Sequence, residues 1–145
     1  MADASNNYGN YSNYDNYGGY EQWLESEAAR LVATGGTDTD TIRALLVLSC
    51  HSSPLARRFF ADRLDSEALL GVLLALAVDD YSGDAQMTAS YWVSQFPPAM
   101  LAPHAATLAV VAANDWDSVA IHARQALETL GQYRSAVPLV LDDVN

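Results

Sequence analysis

The stretch DWDSVAIHARQALETLG, Asp115 to Gly131, decides how this chain reads. Asp117 stands at a helix start, where a short side-chain oxygen accepts a hydrogen bond from a free backbone N–H. An apolar first turn follows. Ala123, Ala126, Leu127 and Leu130 then recur at i, i+3, i+4 and i+7, one face of an α-helix. Trp116, just before the cap, and Ile121, the fourth helical residue, have the spacing of a hydrophobic staple. Gly131 offers a stop. The segment is an amphipathic helix whose apolar stripe needs a neighbour.

The same signals recur along the chain. Leu24, Ala28, Leu31 and Val32 predict a helix over about 20–34, ended by Gly35-Gly36. Asp38 or Asp40 caps a second over about 39–51. Ser53 as cap and Pro54 at the first helical position open a third, reaching about Leu64. Asp65 caps a fourth over about 66–78, and its run ALLGVLLALAV (Ala68 to Val78) suits a buried helix. A fifth covers about 84–96 and stops at Pro97-Pro98. A sixth reaches about Ala113 with a kink at Pro103. The Asp117 helix is the seventh, and a short eighth is expected over about 134–141, with Pro138 in its first turn or bending it. No segment alternates as a strand does. The fold class is all-α.

Three of these helices superimpose. Phe60…Leu64, Trp92…Phe96 and Ala126…Leu130 match, their final apolar residues 32 and 34 positions apart, and Ala89 and Ala123 match three residues earlier. A helical hairpin recurring at such a period buries its apolar face by stacking on its neighbours. The pattern resembles HEAT-like α-solenoid repeats over about residues 53–145, with the first two helices as a fourth, divergent pair. The resemblance implies a short right-handed α-solenoid of about four hairpins whose curved surface binds protein, and it implies no chemistry. The arginine often found near the start of the first repeat helix is missing from the third copy, where Ala120 and Ile121 stand. A compact irregular helical bundle is the alternative architecture.

Residues 1–19 form a low-complexity Tyr/Asn/Gly tail, and 20–145 one helical domain. Tyr8, Tyr11, Tyr14, Tyr17 and Tyr20 stand at every third position. So little aliphatic surface predicts disorder. A three-residue step drifts around an α-helix and alternates across a strand. Only a three-per-turn conformation such as polyproline II aligns the whole row. The tail reads as a string of aromatic stickers for self-association or docking.

Eighteen acids against seven bases give a formal net charge of −11, and every base is arginine. Charge of this sign opposes binding to nucleic acid and to anionic membranes, and it attracts basic proteins. No apolar run reaches the ~18 residues of a membrane span. No basic start leads into an apolar segment, so no signal peptide is expected. The single cysteine, Cys50, cannot form an internal disulfide, and the expected location is cytoplasmic. The lysine-free, alanine- and leucine-rich composition resembles that of proteins from high-GC bacteria.

The residues point to no reaction. His51, His104 and His122 have no partner at metal-ligand spacing. Cys50 reads as a small buried hydrophobe. No catalytic residue, metal or cofactor is assigned, and the chain is read as non-enzymatic. Arg57, Arg58 and Arg63, the basic cluster, are expected to pair with Asp62 and the acids at Asp65 and Glu67. The best candidate surface is a pair of acidic–aromatic turns: Asp79, Asp80, Tyr81 and Asp84 in one, Asp115, Trp116 and Asp117 in the other. Stacked hairpins would bring both turns to one edge. There the aromatics supply buried area and the carboxylates steer a basic or Arg-rich partner. The expected function is a protein–protein interaction module, in one version an immunity- or antitoxin-like inhibitor of a basic protein. The alternative is a self-assembling structural protein, a homo-oligomer joined through the Tyr-rich segment.

Overall fold

Asp38 turns its carboxylate onto the backbone N–H of Thr41 (3.1 Å) and accepts from its hydroxyl as well (2.8 Å), and a helix begins. Serine does the same elsewhere. Ser53, Ser66 and Ser82 each accept from the N–H three residues on, that of Ala56, Leu69 and Ala85, at 3.1–3.2 Å. The computed structural model describes residues 13–136, with side chains over 19–134, and every regular element among them is helical. In chain order these are α1 (Asn13–Ala33), α2 (Thr39–Cys50), α3 (Pro54–Ala61), α4 (Glu67–Val78), α5 (Gly83–Ser94), α6 (Pro98–Leu101), α7 (Ala105–Ala112) and α8 (Asp117–Ala136). A 3₁₀ turn, Ala102–His104, separates α6 from α7. It holds Pro103, which lacks the N–H that an unbroken helix would use.

Several boundaries differ from the expected ones: α3 ends at Ala61, short of Leu64, and Asp117 is the first residue of α8 and not its cap. α1 starts at Asn13, ahead of 20, and takes in Tyr14, Tyr17 and Tyr20. Residues 1–12, with Tyr8 and Tyr11, lie outside the described residues. Ser66, not Asp65, caps α4, and Ser82 caps α5. Gly131 does not stop α8, which continues to Ala136. A glycine inside a helix costs only ~1 kcal/mol. Buried Leu130 and an Arg134 Nη2 hydrogen bond to the Ala102 carbonyl (3.2 Å) hold the turns around it. The expected eighth helix is therefore the end of α8 as far as Ala136, and its remainder lies outside the described residues.

α4 buries Leu69, Leu70, Leu73, Leu74 and Leu76, and turns Gly71 and Ala75 outward. It packs on α5, α7 and α2. α5 lies between α2 and α8, and α6 and α7 close on α8. α1 rests on α2 and α3. Of the three superimposed segments, those of Trp92 and Ala126 fall on α5 and α8, which pack together. Phe60, on α3, reaches α5 through its ring, which stacks on Trp92 at 5.5 Å. Phe60 is fully buried, and its burial contributes roughly 1.5–3 kcal/mol. Trp92 Nε1–H donates to Ser49 Oγ (3.3 Å), so the indole brings no unpaired donor into the core. None of the described helices is long and apolar enough to cross a membrane.

Candidate functional site

Arg43 of α2 organises the turn that follows α4. Its Nε donates to both Asp80 oxygens (3.0 and 3.1 Å), its Nη2 to Asp80 Oδ1 (2.8 Å) and its Nη1 to Asp40 Oδ1 (2.7 Å). The Ser82 N–H donates to Asp80 Oδ2 (3.0 Å). The Asp80 side chain is only 3% exposed, whereas that of Asp40 is 91% exposed. Burial pushes the Asp80 carboxyl up. The Arg43 guanidinium and the Ser82 N–H outweigh it and hold the carboxyl below its ordinary range. Arg43 is raised in turn, first by its hydrogen bond to Asp80. Asp80 is thus not the free surface carboxylate expected of it, because a buried carboxylate needs a cation and donors, and Arg43 supplies them.

Next to it, Tyr81 is 85% exposed, with the Arg43 guanidinium 4.4 Å from its ring centroid. Tyr81 lines a cleft of about 540 Å³ between α1, α2 and the turn. Exposed Trp23, buried Leu31 and Leu48, and the carboxylates of Glu27 and Asp40 also line it. Tyr20 stacks on Trp23 (6.3 Å between centroids). Glu27 pairs with Arg30 (2.8 Å), whose hydrogen bond holds its carboxyl below the usual range.

The second turn does meet the first. A Cβ at Gly83 would lie 3.2 Å from the Trp116 ring, so the indole rests on the start of α5. The acids separate, however. Asp79 is an exposed cap at the end of α4, and Asp115 is exposed. Asp84 turns to His51 (3.1 Å), and Asp117 lies 3.7 Å from Arg124. Ile121, the expected staple partner of Trp116, is 47% exposed.

Trp23 and Glu27 were not singled out from the sequence as site residues, and Asp40 only as a helix cap. A signal for Trp23 existed: it stands three residues beyond Tyr20 and continues the tyrosine period. The basic cluster also differs from expectation. Arg57 donates to the Ser49 carbonyl (3.2 Å) and Ser52 Oγ (3.3 Å). Arg63 donates to the Phe59 carbonyl (2.9 Å) and lies over its ring (4.0 Å). The last carbonyls of a helix attract a guanidinium. Cys50 is half-buried. Among the described residues no three His, Cys, Asp or Glu side chains converge as a metal site.

Comparison with family models, with curated proteins and with solved structures gives no match to this chain.

Proposed function

We propose that this protein is a non-enzymatic interaction module that receives a basic, Arg-rich segment of another protein in the Trp23–Tyr81 cleft. One observation carries this reading: two exposed aromatics share a cleft with the carboxylates of Glu27 and Asp40, on a chain of net charge −11. Aromatic anchors give affinity, and the surrounding acids speed encounter. The architecture we favour is a short HEAT-like solenoid. The packing of α4 on α5 and of α7 on α8, with α5 between α2 and α8, supports it. An immunity- or antitoxin-like inhibitor of a basic protein, acting in the cytoplasm, is the concrete version. The test is a charge swap at the two acids of the cleft, Glu27→Arg with Asp40→Arg. Asp80 is unsuitable, being committed to Arg43. Weakening of affinity for the cognate basic partner by about tenfold or more supports the reading; unchanged affinity refutes it.

Self-assembly is the second reading. The exposed Tyr20–Trp23 stack, on a helix that continues back through Tyr17 and Tyr14, favours it. Light scattering on a dilution series would show association that is lost when residues 1–20 are removed. Two equally monomeric proteins would exclude it.

A further inference from the structure

A cleft of about 400 Å³ opens where α2, α3, α5 and α8 meet. It differs from two other clefts of the molecule in having no carboxylate. The Trp23–Tyr81 cleft carries Glu27 and Asp40 beside Arg43, and the cleft beside Pro54 carries Glu21 and Glu25 beside His51. This one carries Arg57 and His122, and no carboxylate lines it. In a chain with eighteen acids and seven bases, that is the reverse of the prevailing surface.

The Arg57 guanidinium is not neutralised by a protein acid. Arg57 spends its hydrogen bonds on neutral oxygens, the Ser49 carbonyl and Ser52 Oγ. His122 meets the Tyr91 ring edge-on (5.4 Å). The one acid of α5, Asp84, is turned to His51 at 3.1 Å. The apolar surface of the cleft comes from Met87, Tyr91 and Trp92 of α5. Its volume lies within the range of small-molecule sites, and its make-up, aromatic walls with a few polar groups, is theirs too.

From these features we infer that the cleft binds a small organic anion, with its carboxylate on the Arg57 guanidinium and a planar, apolar body against Met87, Tyr91 and Trp92. A guanidinium matches a carboxylate with two parallel hydrogen bonds, and an arginine without an acidic partner holds such a ligand without first giving up an ion pair. The site is independent of the Trp23–Tyr81 cleft.

The experiment is an amide and indole NMR titration of the full chain, with benzoate as probe and benzyl alcohol as its neutral counterpart. Benzoate is expected to give saturable shifts confined to the Trp92 indole N–H and to amides around Cys50, Tyr91 and His122. Benzyl alcohol is expected to bind about tenfold more weakly, since it lacks the charge-assisted hydrogen bond. Arg57→Gln should weaken benzoate by a similar factor. Arg58→Gln, which removes the same charge from a neighbouring exposed position outside the cleft, should leave it unchanged. The proposal is overturned if benzoate gives no saturable shift in the cleft, if the two probes bind equally, or if the two arginine variants behave alike. Comparison of the two probes needs no variant, so it decides even if Arg57→Gln fails to fold.

Discussion

Arg43 and Asp80 stand 37 residues apart in the chain and are joined by three hydrogen bonds of 2.8–3.1 Å. This contact fastens the turn after α4 to the side of α2, and it sets Tyr81 against the same guanidinium. Asp80→Ala leaves Arg43 without its principal anion and the Ser82 N–H without its acceptor. Thermal unfolding should show a fall in Tm of about 5 °C or more. Asp40→Ala removes an exposed partner of the same arginine and should change Tm by no more than about 1 °C. Equal effects would mean that burial of Asp80 is irrelevant.

Acid should reveal the same pair. Burial raises the Asp80 carboxyl and Arg43 overrides it; the Thr41 hydroxyl and N–H lower Asp38; Arg30 lowers Glu27. A carboxylate depressed in the folded state stabilises fully above its unfolded pKa and loses that contribution as pH falls through the folded one. The ordinary values are 3.8 for the aspartates and 4.5 for Glu27. Tm is therefore expected to hold from neutrality down to about pH 5 and then to fall, most steeply below about pH 4. The gap between wild type and Asp80→Asn should narrow over the same interval. A gap that stays constant down to about pH 2 would contradict the assignment.

Gln86 ends α4 from outside it. Its buried carboxamide donates to the carbonyls of Ala77 (3.1 Å) and Val78 (3.4 Å). Gln86→Leu keeps the bulk and leaves those carbonyls without that donor. Urea unfolding should show a loss of ~1–2 kcal/mol.

Gly83 is the seat of the Trp116 indole. In Gly83→Ala the new Cβ lies 3.2 Å from the ring, and the ring, 41% exposed, has room to swing away. The Trp116 indole N–H resonance should shift clearly. Stability should change by less than ~1 kcal/mol, because alanine suits a helix better than glycine and offsets the lost contact. An unmoved resonance would show that the indole does not rest there in solution.

What the sequence made legible was local. Asp38, Ser53-Pro54, Gly35 and Pro103 act through atoms a few residues away, and each stands where its chemistry placed it. Gly131 misled because a glycine's helix penalty is small beside the packing that spans it. The site was less legible. An acidic–aromatic turn was visible at 79–84, but nothing near it in the chain says that Arg43 draws Asp80 inward, or that α1 brings Trp23 to the same cleft as Tyr81. Both depend on helix packing between distant segments. The Arg57 cleft was hidden for the same reason: its lining comes from four helices.

The acidic surface alone would attract any basic peptide, so the central claim rests on the aromatics. The direct measurement is calorimetric titration of an Arg-rich peptide into wild type, Trp23→Ala and Tyr81→Ala, all of equal net charge. Each variant is predicted to bind at least about tenfold more weakly at physiological salt. Affinities equal to wild type in both variants would contradict a site at this cleft.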